Sequence, residues 1–464
     1  MAKRSSIVAA IIAVLVAALV AVSCSSSKDG PGSGRGSVTF TGSIQQLVEQ
    51  KCVTCHREGG MAPFPLATYE DLKTFGALAK EKVTQREMPP WGAFDDESCT
   101  VSRGYKNDLS MTQEQIDMFA AWVDDGMPRG DGPVRVAATT EVPAAGLAGK
   151  TDTFEAAASH MVEGGANDEI RCFPVDPKLD ADTWVEESLV VPEDQKVVHH
   201  ALVYIDAKRE GFAKAGRAGS YPCFGGPEIE EQTLLLAWSP GGTSTKYGEN
   251  AAVKLPKGAH ILVQVHYHPL VKTTTGRVNL ELKASKQAPQ RVAGFVLVGN
   301  AEDSKNNAAR LLPGPDDPAD GPRFLIPSNA KGHTETMELR IPPSIAETRL
   351  AAVGAHMHWA GVGLKLEIDR RAPTDGEPAS ECLLGVPKYD FSWQRTYSYD
   401  SPIEQLPTIR GGDTLRVTCT YDNTRDNRNL ARALNERRIS TPPAIRLGGD
   451  SLDEMCQAIL VFVD

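Results

Sequence analysis

Beyond residue 150 the chain is a succession of short apolar-rich runs broken by Gly, Pro, Asn and Asp. KVVHHALVYI, AHILVQVHYH, RVAGFVLVG, TRLAAVGAHMHW, GLKLEI, TLRVTCTY and AILVFVD are the clearest of them. Runs of this kind, bounded by turn formers, predict strands, and their spacing predicts antiparallel sandwiches. No helix of useful length is expected there, and no GxGxxG or P-loop interrupts the pattern. The front of the chain differs. Ser43 to Gln50 reads as a short helix, and a second helix starts at Thr112, where Gln115 completes a capping box. That helix carries Ile116, Phe119, Ala120 and Val123 on one face and stops at Gly126. A Pro/Ala/Gly-rich linker, roughly Pro128 to Lys150, separates the two regions. The expected fold class is mainly β, with a small all-α domain in front.

Composition narrows the function classes. The 464 residues have room for roughly two to four domains. With 41 glycines, 31 prolines and few aromatics, turn-rich β domains fit better than a long helical protein. A net charge of −11 offers no basic patch to release counterions from phosphates, which excludes a nucleic-acid partner.

Residues 1–24 read as an export signal. Lys3 and Arg4 precede an unbroken apolar run from Ile7 to Val22, and Ala21-Val22-Ser23-Cys24 resembles a bacterial lipobox with Cys24 as the lipidated residue. Ala21 stands where that pattern prefers Leu. A single transmembrane anchor is the alternative, although sixteen apolar residues are short for one. A Ser/Gly-rich stretch, 25–37, then serves as a flexible tether. The expected location is a membrane-anchored lipoprotein facing the periplasm or cell exterior, most simply at the outer membrane. Export permits disulfides. Of nine cysteines, Cys24 goes to lipid and Cys52 and Cys55 to the motif below. The six left over (Cys99, Cys172, Cys223, Cys382, Cys419 and Cys456) are compatible with three disulfides whose pairing spacing alone does not fix.

Cys52-Val53-Thr54-Cys55-His56 is the c-type haem attachment pattern. Two thiols would form thioethers to the porphyrin, and the adjacent imidazole would be the proximal iron ligand. A CxxC disulfide or a zinc half-site is the bland alternative, but no second CxxC completes a zinc site. Met88, in REMPPWG, is the candidate for the sixth ligand, with an ordinary packed Met or a site open to water as the alternatives. Met61 lies too near His56 in sequence to reach the opposite face of the ring. Met111, Met118 and Met127 read as packing. The stretch 38–130 resembles a class I-type cytochrome c.

Five histidines and a methionine are the remaining candidates for chemistry: His199, His200, His266, His356, His358 and Met455. Imidazole and thioether suit copper, and a Met among histidines favours Cu(I). Residues two apart on a strand share a face, so His356 and His358 can address one metal. Adjacent His199 and His200 face opposite ways on a regular strand; sharing a metal needs a twist or bulge. One core and one surface histidine is the equal alternative.

In chain order, VVHHALVYI, LLAW, LVQVHYHP, HMHWAG, CTYDNT and LDEMC resemble the copper type II, ascorbate-dependent monooxygenases, the family of peptidylglycine α-hydroxylating and dopamine β-monooxygenases. The resemblance covers about 165 to 464. It implies two tandem jelly-roll β-sandwich domains, at 151–290 and 291–464, after the cytochrome c domain at 38–130 and a linker at 131–150. It implies two copper ions beside one covalently bound haem. His199, His200 and His266 would bind the electron-transfer copper. His356, His358 and Met455 would bind the catalytic one. His268 is set aside as a neighbour of the first site or a surface residue, and His160, His260 and His333 read as structural or solvated. The family pattern pairs Cys419 with Cys456 and fits Cys172 with Cys223. Cys99 and Cys382 either link the haem and copper domains or stay free.

The implied activity is hydroxylation of a C–H bond of a small organic substrate with O2. An external donor would supply electrons through the haem, beside or in place of an ascorbate-like reductant. Reverse electron flow, or a haem serving another partner, is the runner-up within that scheme. The alternative of a different class is a non-catalytic haem/copper electron-transfer or copper-binding lipoprotein. Gly354 stands where the peptide-hydroxylating enzymes carry a carboxylate-gripping arginine, and Gln457, Ala458 and Ile459 follow the Met455 motif without their polar contacts. A glycine-extended peptide is thus not the expected substrate. The pocket is expected to be more apolar, with Trp359 and Ile459 as lining.

Overall fold

The computed structural model describes residues 38–464, apart from 59, 61, 135–145, 167, 225, 231, 240–243, 302–308, 319–320, 375 and 450–451. The export signal, the tether, Cys24, Met61 and much of the linker lie outside the described residues. The protein is mainly β, built from several sheets.

The front of the chain is helical. Gln45–Lys51, Tyr69–Thr84 and Gln113–Asp124 gather around Ile44, Leu47, Leu72, Ile116, Phe119 and Trp122. The capping box at Thr112 and Gln115 is formed, with the Thr hydroxyl accepting from the Gln115 amide and the Gln115 side chain from the Thr112 amide. Trp122, not Ala120 or Val123, completes the buried stripe. Tyr69–Thr84 is a helix the apolar pattern did not predict, because its face is interrupted by lysines. Its start was nonetheless written in the sequence: Thr68 and Asp71 form a second capping box.

The helices are not an isolated unit. Trp91, Ala93 and Tyr105, from the segment between the last two, are buried in the main β core. Cys99 is disulfide-bonded to Cys382, and Tyr105 stacks near Tyr399. Arg428 pairs with Glu87 at 2.9 Å across the same seam.

The largest sheet has ten strands and runs through both halves of the β region. Its one parallel junction, Ala251–Leu255 beside Arg291–Gly299, joins them. Gln457–Val463, the last strand, lies between Arg291–Gly299 and Thr348–His356. One five-stranded sheet, centred on His260–Tyr267, packs against the first half, and another, centred on Thr414–Asp422, against the second. Central strands read as near-continuous buried runs because both faces are covered. Cys172–Cys223 ties the strand Glu169–Val175 to the segment after Tyr221–Pro222, and Cys419–Cys456 ties the strand Thr414–Asp422 to the start of Gln457–Val463 in the ten-stranded sheet. Downstream of 150 one helix of useful length does occur, Arg428–Glu436, capped by Asn427, which accepts from the Asn429 and Leu430 amides.

Candidate functional site

His199 and His200 open the strand Val198–Asp206, and His266 lies near the end of the neighbouring Glu169–Val175-paired strand His260–Tyr267. His200 sits directly opposite His266, but Tyr267 then pairs with Val198. His199 is therefore the extra residue of a bulge, which turns both adjacent imidazoles to one side. One ring nitrogen from each of the three histidines falls within 4.8 Å of the others. The Nδ1 atoms of all three are buried without a hydrogen-bond partner among the described residues. Three rings this close together, each with a buried, unsatisfied nitrogen, are costly unless a metal takes them.

The surroundings prepare these rings as ligands. Burial holds all three pKa values below the usual range, His199 to about 3, so the imidazoles stay neutral and available to a cation. The carboxylate of Asp168 accepts from His266 Nε2 (3.0 Å) and His268 Nδ1 (2.8 Å) and pairs with Arg432 (2.7 Å). The His266 bond fixes the tautomer that leaves Nδ1 free. Burial pushes the Asp168 carboxyl up, but hydrogen bonds from His266 and His268 and the Arg432 charge hold it far below the usual carboxylate range. His268, half exposed, bonds Asp168 and also lies 6.2 Å from the His199 ring.

The second set assembles differently from the expectation. The strand Thr348–His356 ends at His356, so His358 is not its neighbour on a pleat but sits in the turn that follows. Their rings are 5.4 Å apart and nearly perpendicular. The turn is held by Glu454, whose buried carboxylate accepts from the amides of His358 (2.7 Å), Ala360 (2.6 Å) and Met455 (3.1 Å). Burial nevertheless pushes that carboxyl up to about 8. The Met455 carbonyl accepts from Tyr421 (2.8 Å), and Cys456 is tied to Cys419. His356 Nδ1 donates to Gln394 Oε1 at 2.8 Å and His358 Nδ1 to the Asp453 carbonyl at 2.9 Å, leaving both Nε2 atoms as ligand positions. His358 Nε2 is buried without a partner, and burial lowers the His358 pKa to about 3.

Glu454→Ala is expected to cost about 3 kcal/mol in stability, because several buried N–H groups lose their acceptor together. Glu454→Gln keeps an acceptor oxygen and should lose less. Urea unfolding compares the two; equal midpoints for Ala and the parent would remove Glu454 from this role.

A cleft of about 660 Å3 is lined by His200 of the first set and by His356, His358 and Met455 of the second. Phe391 stands between them, 6.2 Å from the His200 ring and 6.4 Å from that of His358. The remaining wall is mixed, with Leu202, Leu234, Leu297 and Ile459 beside the polar Glu228, Gln264 and Gln457. Trp359 does not line the cleft: it packs behind Phe391 at 4.2 Å, beneath Arg432. At Gly354 a Cβ would meet the Arg395 carbonyl at 2.9 Å and the Ile459 Cβ at 3.3 Å. An arginine does not fit there.

Cys52, Cys55 and His56 follow the helix Gln45–Lys51, and both thiols are free. Burial raises the thiol of Cys52 to about 12 and also that of Cys55, which Arg395 pulls back down. His56 Nδ1 donates to the Phe64 carbonyl at 2.9 Å, which leaves Nε2 for a metal, as a ligating histidine requires. Met88 is 36% exposed. It borders a small crevice with Val83, Pro89, Trp91, Phe94 and Ile116. His160, His260 and His333 lie apart, against Glu169, Phe212 and Glu335 respectively.

Asp168, Phe391, Gln394 and Glu454 had not been singled out from the sequence. Only Glu454, beside Met455, carried a signal there; the others reach the ligands through tertiary folding.

No protein-family model matches the chain, and no curated protein matches it. Among solved structures the chain is similar to the major capsid protein P2 from bacteriophage PM2, at 9% identity over 67% of this chain and 96% of that one, with a TM-score of 0.21. A peptide-N(4)-(N-acetyl-β-D-glucosaminyl) asparagine amidase matches at 10% identity over 59% and 97%, with a TM-score of 0.20. An allantoicase matches at 13% over 55% and 77%, with a TM-score of 0.16. At such scores none of these bears on the site.

Proposed function

We propose that this chain is an exported copper-dependent monooxygenase that hydroxylates a C–H bond of an organic substrate with O2, its electrons arriving through a c-type haem on the same chain. The observation that carries the reading is one cleft lined by His200 from one histidine set and by His356, His358 and Met455 from the other, with an unsatisfied Nδ1 on each of the three rings of the first set. The order of motifs resembling the copper type II monooxygenases supports it, with 151–290 and 291–464 as the two jelly rolls and 38–130 as the cytochrome c domain. Copper cycling between Cu(I) and Cu(II) would supply the electrons and the oxygen activation, and the haem would store one further electron.

The residues divide the work. His199, His200 and His266 would hold an electron-storing copper, with Asp168 fixing the ring of His266. His356, His358 and Met455 would hold the catalytic copper, kept in reach of each other by Glu454, Tyr421 and the Cys419–Cys456 bond. Leu202, Leu234, Leu297 and Ile459 would bind the substrate and exclude water from the reacting bond. Cys52, Cys55 and His56 would carry the haem, with Met88 as the sixth ligand proposed from sequence. A pure electron carrier has no use for a cleft of about 660 Å3 beside its metal, which favours the enzyme over the non-catalytic alternative. Reductant-dependent oxygen uptake tests the proposal. It is expected to vanish on copper chelation and to return when copper, but not zinc, is restored; uptake indifferent to chelation would exclude the copper mechanism.

A further inference from the structure

Beyond its histidines, part of the cleft is walled by one face of a sheet. His200, Leu202 and Tyr204 alternate along Val198–Asp206, and Gln264 lies opposite Leu202 on the neighbouring strand His260–Tyr267. Each of these residues lines the cleft. Tyr204 stands about 13 Å along the strand from His200. Tyr204 and Gln264 are diagonal neighbours on the same face, about 7–8 Å apart.

Both side chains are buried, Tyr204 being 6% exposed and Gln264 3%, yet each keeps a polar atom unused. The Tyr204 hydroxyl has no hydrogen-bond partner among the described residues, and burial pushes its pKa up, so it keeps its proton as a donor. Gln264 Nε2 donates to the Cys223 carbonyl at 2.7 Å, which fixes the amide and leaves Oε1 without a donor among the described residues. Neither oxygen is among the fully occluded, unpartnered polar atoms of the chain, so both open on the space that these residues line.

Charge narrows what they could bind. Among the described residues no Lys or Arg lines the cleft, and its acids are Glu228 and Asp453, so a carboxylate or phosphate finds no partner. Glu228 already pairs with Lys214 at 3.5 Å, which makes it a poor partner for an ammonium. A buried ion needs an opposite charge, whereas a neutral donor beside a neutral acceptor suits a neutral group that both accepts and donates. A hydroxyl does both through one oxygen. Leu234 and Ile459, packed in the same apolar cluster as Tyr204, are placed to hold the carbon skeleton.

We propose that Tyr204 and Gln264 recognise the hydroxyl group of an uncharged alcohol, the Tyr204 hydroxyl donating to it and Gln264 Oε1 accepting from it. This names the substrate class of the cleft and in that respect rests on the function proposed above. The two hydrogen bonds themselves need no metal, and no bond is made or broken in forming them.

The test is calorimetric titration of the purified full-length protein with octanol, octyl methyl ether, octylamine and octanoate, which share a chain and differ at one end. Octanol is expected to bind about fivefold more tightly than the ether, which accepts but cannot donate. Octylamine and octanoate should bind more weakly still, since their charges stay unpaired. Tyr204→Phe should weaken octanol binding about fivefold, and Gln264→Met should remove its advantage over the ether. Because the Tyr204 hydroxyl bonds nothing in the fold, Tyr204→Phe should melt no lower than the parent, a result that a purely structural tyrosine would not give. Equal binding of the four molecules, binding of none, or parent-like octanol affinity in Tyr204→Phe would overturn the site while sparing the copper reading. Selection of octanol by a protein that takes up no copper would support the site and overturn that reading.

Discussion

Met455→Ala is expected to lower reductant-dependent oxygen uptake on the order of a hundredfold, the scale of loss when a reacting centre is misplaced by about 1 Å. Met455 carries the only soft donor among the described residues that line the cleft with His356 and His358, and a thioether favours the Cu(I) state that meets oxygen. Its backbone is fixed independently of its side chain, by Glu454, Tyr421 and the Cys419–Cys456 bond. The loop should therefore keep its place in the variant, and the loss should appear in turnover rather than in folding. The haem spectrum and the copper held by His199, His200 and His266 should persist. An oxygen electrode with a copper assay on the same sample decides the matter: parent-like uptake would remove Met455 from the catalytic set.

The second large effect is on affinity. Asp168→Ala is expected to weaken copper at the three-histidine site by roughly 10–100-fold, the usual range when a ligand's outer hydrogen-bond partner is lost. Three groups lose their partner at once, since His266, His268 and Arg432 all bond this carboxylate. His266 would then be free to turn or change tautomer, and its Nδ1 would no longer be aimed. Competition with a chelator of known strength measures the change. Because the second site makes no contact with Asp168, only one of two binding phases should move; a shift in both, or in neither, would contradict the assignment.

Much of this arrangement was legible in the chain. The β architecture followed from short apolar runs between turn formers, and the helix at Gln113–Asp124 from its capping box. His199-His200 required a bulge to act together, and the register shift at Tyr267 supplies it. What escaped the sequence has physical reasons. His356 and His358 looked like alternate residues of one strand, but the strand stops at His356 and Glu454, almost a hundred residues away, positions the second imidazole. Asp168 and Gln394 lie far from the ligands they orient, and no local pattern marks a hydrogen bond formed only on folding. The helix at Tyr69–Thr84 was hidden by lysines on a face that the neighbouring helix only partly covers. Trp359 looked like lining because it follows His358, yet the turn sends it behind Phe391. Cys99 and Cys382 were left either linked or free, and the docking of the helices on the β region decides for the linked alternative.

The central claim is that the six scattered residues form two metal sites beside a haem. The most direct measurement is the metal and haem content of the purified full-length protein, with His266→Ala and His358→Ala beside it. The account predicts two coppers and one haem per chain, and the loss of one copper, with a distinct EPR signal, in each variant. One copper shared by both sets, no copper, or no covalent haem would contradict it.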